Sequence, residues 1–256
     1  KKNVRYRLPT SDEKTYILAW TTTSWTLPGN VALAVGGGEG PRDIRYAAWK
    51  EGDETLIASL SYYAKLHGPE VKHKLDLLDF KNLVGLTYKA PFDYYQKNKS
   101  LKNHKNGWKV YFANFVTWET GTGIAHEAPA FGADDWELAK EFNLPFIQHV
   151  NMDGTMKPEV RDFAGMEVKP KSDDDRVRLG TDIAVLKYLQ EHGTFFSKEN
   201  ITHSYPHCWR CDTPLLNYAT SSWFVSITKI KENLLKNAEK INWSPEHIKT
   251  GRFGKW

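Results

Sequence analysis

Tyr16-Ile17-Leu18-Ala19-Trp20-Thr21-Thr22-Thr23-Ser24-Trp25-Thr26-Leu27-Pro28-Gly29-Asn30-Val31-Ala32-Leu33-Ala34-Val35 is the stretch that decides how this chain folds. An apolar run stands at each end, Tyr16 to Trp20 and Val31 to Val35. Both are too short for a globular helix and have the length of a buried strand. Threonines, a proline and a glycine lie between them, so the unit reads as strand, turn, strand. The pattern then recurs. Gly36-Gly37-Gly38-Glu39-Gly40-Pro41 is a turn, and Ile44–Trp49 and Thr55–Ala58 form a hairpin around Glu51-Gly52-Asp53. Trp108 to Trp118 reads as a long strand with Trp108, Val110 and Phe112 alternating. Leu60–Leu66 and Phe92–Lys97 have the length of short helices. Strands at this density, separated by Gly and Pro turns, predict a barrel or sandwich.

Helices enter in the second half. Asp134 to Phe142 has a helical period, with Trp136, Ala139 and Phe142 on one face and Asp134 placed to cap. Thr181 to His192 carries a stripe of Ile183, Leu186, Tyr188 and Leu189, with Gly193 at the C′ position. Lys171 to Arg176 reads as a solvated loop. Ile227, Ile230, Leu234, Leu235, Ala238 and Ile241 recur at helical spacing, and Ser244-Pro245-Glu246 reads as an N-cap with proline at N1. The expected class is α+β, rich in strands, a barrel-like domain with peripheral helices.

Composition narrows the function less. Of 256 residues, 35 are Lys or Arg and 31 Asp or Glu, a net charge of +4. That is mild for a nucleic-acid binder, and the lysines of 97–109 and 229–240 read as solvated faces. No apolar run reaches the roughly 20 residues of a membrane span. Lys1-Lys2-Asn3-Val4-Arg5 leads into no apolar signal core, so a cytoplasmic location is expected. Two cysteines make no disulfide scaffold. Their spacing, Cys208-Trp209-Arg210-Cys211, is that of a metal-ligand pair, whereas a structural zinc needs four ligands. His203 and His207 are near enough to substitute; the bland alternative is two thiols without metal.

Two segments carry chemistry. Thr21-Thr22-Thr23 at the end of an apolar strand offers hydroxyls and methyl groups in a small space; β-branched residues completing a strand would look the same. Gly121-Thr122-Gly123-Ile124-Ala125-His126-Glu127-Ala128-Pro129-Ala130-Phe131-Gly132-Ala133-Asp134-Asp135 is a glycine-bounded strand followed by a loop that opens a helix. Asp134 and Asp135 are either first-turn acids or binders of an ammonium group. His126 is a ligand, a proton carrier or a hydrogen-bonded core residue.

In order and roughly 100 residues apart, the two segments resemble the paired signatures of the editing insertion of isoleucyl-tRNA synthetases. That family carries a Trp-Thr-Thr-Thr-Pro-Trp-Thr-Leu-Pro run and a Gly-Thr-Gly-(Ile/Val)-(Val/Ala)-His segment that ends in two acids. Ser24 stands here where proline is usual. His203 to Cys211 and Ala219 to Phe224 resemble the family's return segment, so the likeness covers nearly the whole chain. Valyl and leucyl enzymes typically show Thr-Thr-Arg-Pro and Pro-Ala-His-Asp, against Thr22-Thr23-Ser24-Trp25 and Pro129-Ala130-Phe131-Gly132 here.

The resemblance implies an editing domain over residues 1–200 and, over 201–256, a segment returning toward a catalytic domain. It implies hydrolysis of valine from mischarged isoleucine tRNA, with pre-transfer clearance of valyl-adenylate left open beside it, because one methylene is worth only about 1–3 kcal/mol; this amino-acid pair is the standing illustration of that limit. Thr21, Thr22, Thr23 and Asp135 would be the catalytic set, with Asp135 on the α-ammonium group. Trp20, His126, Ala128, Phe131 and Asp134 would line the substrate. Water would attack directly, with no metal or cofactor. The expected partners are the tRNA 3′ end carrying valine and the rest of the synthetase, with no membrane and a monomeric chain. ATP and Mg belong to the His-Ile-Gly-His and Lys-Met-Ser-Lys-Ser motifs of the catalytic domain, which this sequence lacks. The family's zinc would use Cys208 and Cys211 with a second pair outside the sequence. Competing readings are the editing domain of a valyl-type enzyme, which would clear threonine; a tRNA-binding module without turnover; and a free-standing hydrolase.

Overall fold

A computed structural model describes residues 1–9, 14–38, 44–68, 74–117, 119, 121–199 and 205–255. β1 (Lys2–Arg7) and β2 (Lys14–Thr21) pair antiparallel along their length, Lys2 opposite Thr21 and Arg7 opposite Tyr16. β3 (Ala32–Val35) follows the threonine turn, and β4 (Tyr46–Glu51) and β5 (Glu54–Ser59) form the expected hairpin. After α1 (Leu60–His67) come β6 (Leu75–Leu78), α2 (Phe80–Leu83), β7 (Lys109–Phe112) and β8 (Ile124–Glu127). α3 (Ala133–Phe142), α4 (Asp175–Arg178), α5 (Gly180–Glu191) and β9 (Phe195–Lys198) complete the larger part, and α6 (Ile227–Lys240) stands in the tail. The class is α+β, and the sheet is a curled half-barrel.

The curl follows from β2. On one edge it pairs with β1; on the other its first half pairs with β5 and its last residues with β8, Trp20 opposite Ala125. One strand therefore hands the sheet from one neighbour to the next, in the order β6-β4-β5-β2-β8-β3-β7, with β1 branching from β2 and β9 pairing with β1. Both faces of β2 are covered. Ile17 and Ala19 enter the main core with Leu33, Val110 and Ile124. Leu18 enters a smaller cluster with Trp49, Tyr62 and Tyr63 under α1. That is why this strand reads as an unbroken apolar run and not as an alternating one.

The strand from Trp108 is only β7, because Trp108 turns into the left-handed region (φ +55) and the chain turns again after Phe112, Val116 N–H donating to Ala113 O. Trp118 lies outside the described residues. Residues 92–97 form turns and not a helix: Gln96 holds the loop through Ala90 N–H and Tyr88 O, while Phe92 stacks on Tyr188. α3 buries Leu138 and Ala139 and leaves Trp136 42% exposed; its N-cap is Gly132 and not Asp134. α5 buries Thr181, Asp182, Val185 and Leu189 and turns Ile183 outward, with Gly193 following at φ +67. Within 171–176, Asp175 already begins the single turn of α4, capped by Asp174. Pro245 does not start a helix: residues 244–246 bend, and the irregular helical turn Lys249–Phe253 departs from helical angles at Gly251.

Packing groups residues 1–219 into one compact unit and 220–256 into a second, and Leu216 and Tyr218 pack on the main core of the first. The second unit, residues 220–256, contains α6, whose apolar stripe Ile227, Ile230, Leu234 and Leu235 is exposed within that unit.

Candidate active site

The end of β2 makes the first wall. Thr21 is buried, and its hydroxyl accepts from Thr23 N–H at 3.1 Å, a side-chain-closed turn that aims the next residues outward. Thr22 and Thr23 are left facing open space, their hydroxyls 3.2 Å apart. Lys2 Nζ donates to Thr22 O at 2.9 Å. The helical turn Ser24–Gly29 follows, fully buried. Ser24 Oγ donates to Asp182 Oδ1, and Asp182 also pairs with Lys169 at 2.9 Å. The hydroxyl that replaces the family's proline thus ties this turn to α5.

β8 makes the second wall and delivers His126. Asn30 Nδ2 lies 2.9 Å from both Ala32 O and His126 Nδ1, and Asn30 Oδ1 accepts from Tyr88 at 2.6 Å. With the Asn30 amide so oriented, Nδ1 is an acceptor, which leaves Nε2–H to face Thr26 Oγ1 at 3.2 Å. Thr26 Oγ1 in turn donates to Thr23 O at 2.8 Å. Burial, then the nearby His149, push His126 down to about 3. His126 is buried and hydrogen-bonded through both ring nitrogens, and it is among the residues that line the cavity.

The third wall is the start of α3. Asp135 turns its carboxylate back so that Oδ1 accepts from Ala128 N–H at 2.6 Å. A Cβ on Gly132 would collide with that carboxylate, so the close approach requires glycine. Burial raises the Asp135 pKa, and the Ala128 N–H opposes the rise. Gly121, at φ +61, lies flat against the Trp20 ring, where a side chain would overlap the indole.

These walls enclose a cavity of about 380 Å³, within the range of about 300–1,000 Å³ for small-molecule sites. Trp20, Thr21, Thr22, Thr23, His126, Ala128, Phe131, Asp134 and Asp135, far apart in sequence, all line it. Phe131 is wedged between Trp25 (5.1 Å between ring centres), His149 (4.9 Å) and Tyr218 (6.2 Å), so that part of the wall is rigid. Sequence reasoning missed Phe115, Val116, Thr117, Asn217 and Glu127, which also line it, and the supporting Asn30. The turn after Phe112 brings the first three in, and an assumed long strand hid that turn.

The family of class I tRNA synthetases (I, L, M and V) matches residues 30–256. The chain belongs to that family. An isoleucine–tRNA ligase of Treponema denticola is 42% identical over 94% of this chain and 22% of its own length. That of Clostridium acetobutylicum is 42% identical over 96% of this chain and 21% of its own. This synthetase chain therefore spans about a fifth of the length of the relatives it matches. Among solved structures, the editing domain of the P. falciparum cytosolic leucyl-tRNA synthetase is 11% identical, covers 73% of this chain and 81% of its own, and superposes with a TM-score of 0.47.

The thiols of the synthetase chain lie apart from the cavity wall. Cys208 and Cys211 are free, and the Thr213 hydroxyl, then Cys208, pull Cys211 down to about 7. His207 Nδ1 faces Asp212 O at 3.1 Å, and His203 lies outside the described residues. Among the described residues no third ligand joins the pair, so these two thiols do not by themselves fit a four-ligand zinc site. No helix of the described residues is long and apolar enough to cross a membrane.

Proposed function

We propose that the cavity is the editing site of an isoleucyl-tRNA synthetase and removes valine mis-attached to isoleucine tRNA, in the cytoplasm. The observation that carries this is the meeting of Thr22, Thr23 and Asp135 around one cavity with a rigid aromatic wall. The isoleucyl identity of the similar ligases supports the choice of amino acid.

The residues assign the chemistry. Asp135, already oriented by Ala128 N–H, holds the substrate's α-ammonium group through a charge-assisted hydrogen bond. The Thr22 and Thr23 hydroxyls position the ester and the water. Phe131, Ala128 and Trp20 close around the side chain; a rigid wall makes one extra methylene cost about 1–3 kcal/mol, which sets the size limit. His126 does not act as a base: its Nδ1 lone pair is taken by Asn30, and burial keeps the ring neutral. Water attacks the ester carbonyl carbon, the acyl–oxygen bond breaks, and the ribose oxygen leaves with a proton, a neighbouring ribose hydroxyl serving as relay. Residues 201–256 return the chain toward the catalytic domain, whose ATP and Mg chemistry belongs to motifs this sequence lacks, and Cys208 and Cys211 would be half of a zinc site that a second cysteine pair completes.

The test is single-turnover deacylation of valyl-tRNA(Ile). Wild type should hydrolyse the ester well above its spontaneous rate. Asp135→Ala should lose about 2–5 kcal/mol of transition-state stabilisation, a fall of roughly 30-fold or more, with unchanged near-UV circular dichroism. Full activity in that variant would remove the ammonium role.

A further inference from the structure

Glu127 has no part in that chemistry, yet it is among the residues that line the cavity. Glu127 is 1% exposed, and its Oε2 has no hydrogen-bond partner. The titratable and charged groups facing it are Asp134 and Asp135 from α3, Tyr6 on β1 and Tyr88. None of these is a cation. Burial pushes the Glu127 carboxyl well above the usual range, and the two aspartates push the same way. A buried acid beside like charges stays neutral; an opposite charge within about 4–6 Å reverses that balance. Among the described residues that line the cavity none is a lysine or arginine, and an α-ammonium group held by Asp135 would supply such a charge.

We propose that Glu127 releases a proton to solvent when the cavity takes up an α-ammonium ligand, so that the filled cavity sets two carboxylates, Glu127 and Asp135, against one ammonium. The proposal rests on the editing reading above. The balance is simple: a neutral carboxyl and a cationic ligand become a carboxylate–ammonium pair and one proton in the buffer. The site would then favour ligands that keep a free amino group, because only these offset the cost of a second buried anion.

The probe is a hydrolysis-resistant, amide-linked valyl-adenosine. Titration calorimetry at pH 6, in two buffers of different ionisation enthalpy, counts the protons released; a free α-amino group, with a pKa of about 7.7–8.0, stays charged there. Wild type should release close to one proton more per ligand than Glu127→Gln, and its Kd should tighten by up to about tenfold more per pH unit. The des-amino analogue should release none. Infrared difference spectra of wild type should lose a protonated-carboxyl band on binding, a readout that does not depend on the variant folding. Equal proton counts in the two proteins, or a band that persists on binding, overturn the proposal while leaving the editing reading in place. An analogue that wild type does not bind overturns both.

Discussion

At the scale of single residues, the three threonines divide their labour. Thr21 spends its hydroxyl on Thr23 N–H and is a turn former, while Thr22 and Thr23 keep theirs for the cavity. Thr21→Ala should therefore cost stability, about 0.5–1.5 kcal/mol by urea unfolding. Thr22→Ala and Thr23→Ala should leave the unfolding midpoint in place and slow deacylation. The opposite pattern would exchange the assignments. His126 gives a pH signature. Its native pKa of about 3 lies below the ordinary 6.5, so the native state keeps the ring neutral while the unfolded chain takes a proton. Its contribution to stability is whole above pH 6.5 and drains away as pH falls toward about 3. Urea unfolding between pH 7 and 5 should show that loss, and His126→Asn should flatten it by up to about 1.4 kcal/mol per pH unit. The sequence named His126 and Asp135 because chemistry-bearing residues stand out in a motif. It left the role of His126 open because Asn30, the residue that decides it, lies 96 positions away.

At the scale of elements, strands were easier to read than faces. The runs Tyr16–Trp20 and Val31–Val35 became β2 and β3 because apolar runs of that length have one stable use in a sheet. Periodicity gave α3 and α5 their lengths but misjudged their orientation, since it marks an apolar side without knowing which polar residues are anchored. Asp182 is such an anchor. Burial opposes its charge, yet Lys169, Lys2 and the Ser24 hydroxyl together hold its pKa below the ordinary 3.8. That rotates α5 so that Asp182 faces inward and Ile183 outward. The contribution of Asp182 is present above pH 3.8 and lost as pH falls through the lowered native value. Asp182→Asn should destabilise at neutral pH by about 3–5 kcal/mol, because it leaves Lys169 without its partner in a largely buried site. Ser24→Ala should cost less, about 1–3 kcal/mol. Equal unfolding midpoints for wild type and both variants would show that the tie between the threonine turn and α5 is not structural.

At the scale of the whole molecule, a curled sheet brings the ends of β2 and β8 beside the start of α3 and so makes a cavity from segments roughly 100 residues apart. The motif resemblance made the two segments legible as a pair. The wall from Phe115 to Thr117 was not, because its place depends on a left-handed Trp108 and a turn that no periodicity marks. On the proposed function, this cavity hydrolyses by size. The most direct measurement compares deacylation of valine and isoleucine, each attached to isoleucine tRNA, by this chain. Valine should be lost faster, by roughly 10-fold or more for one methylene against a rigid wall. Equal rates for the two amino acids would contradict it.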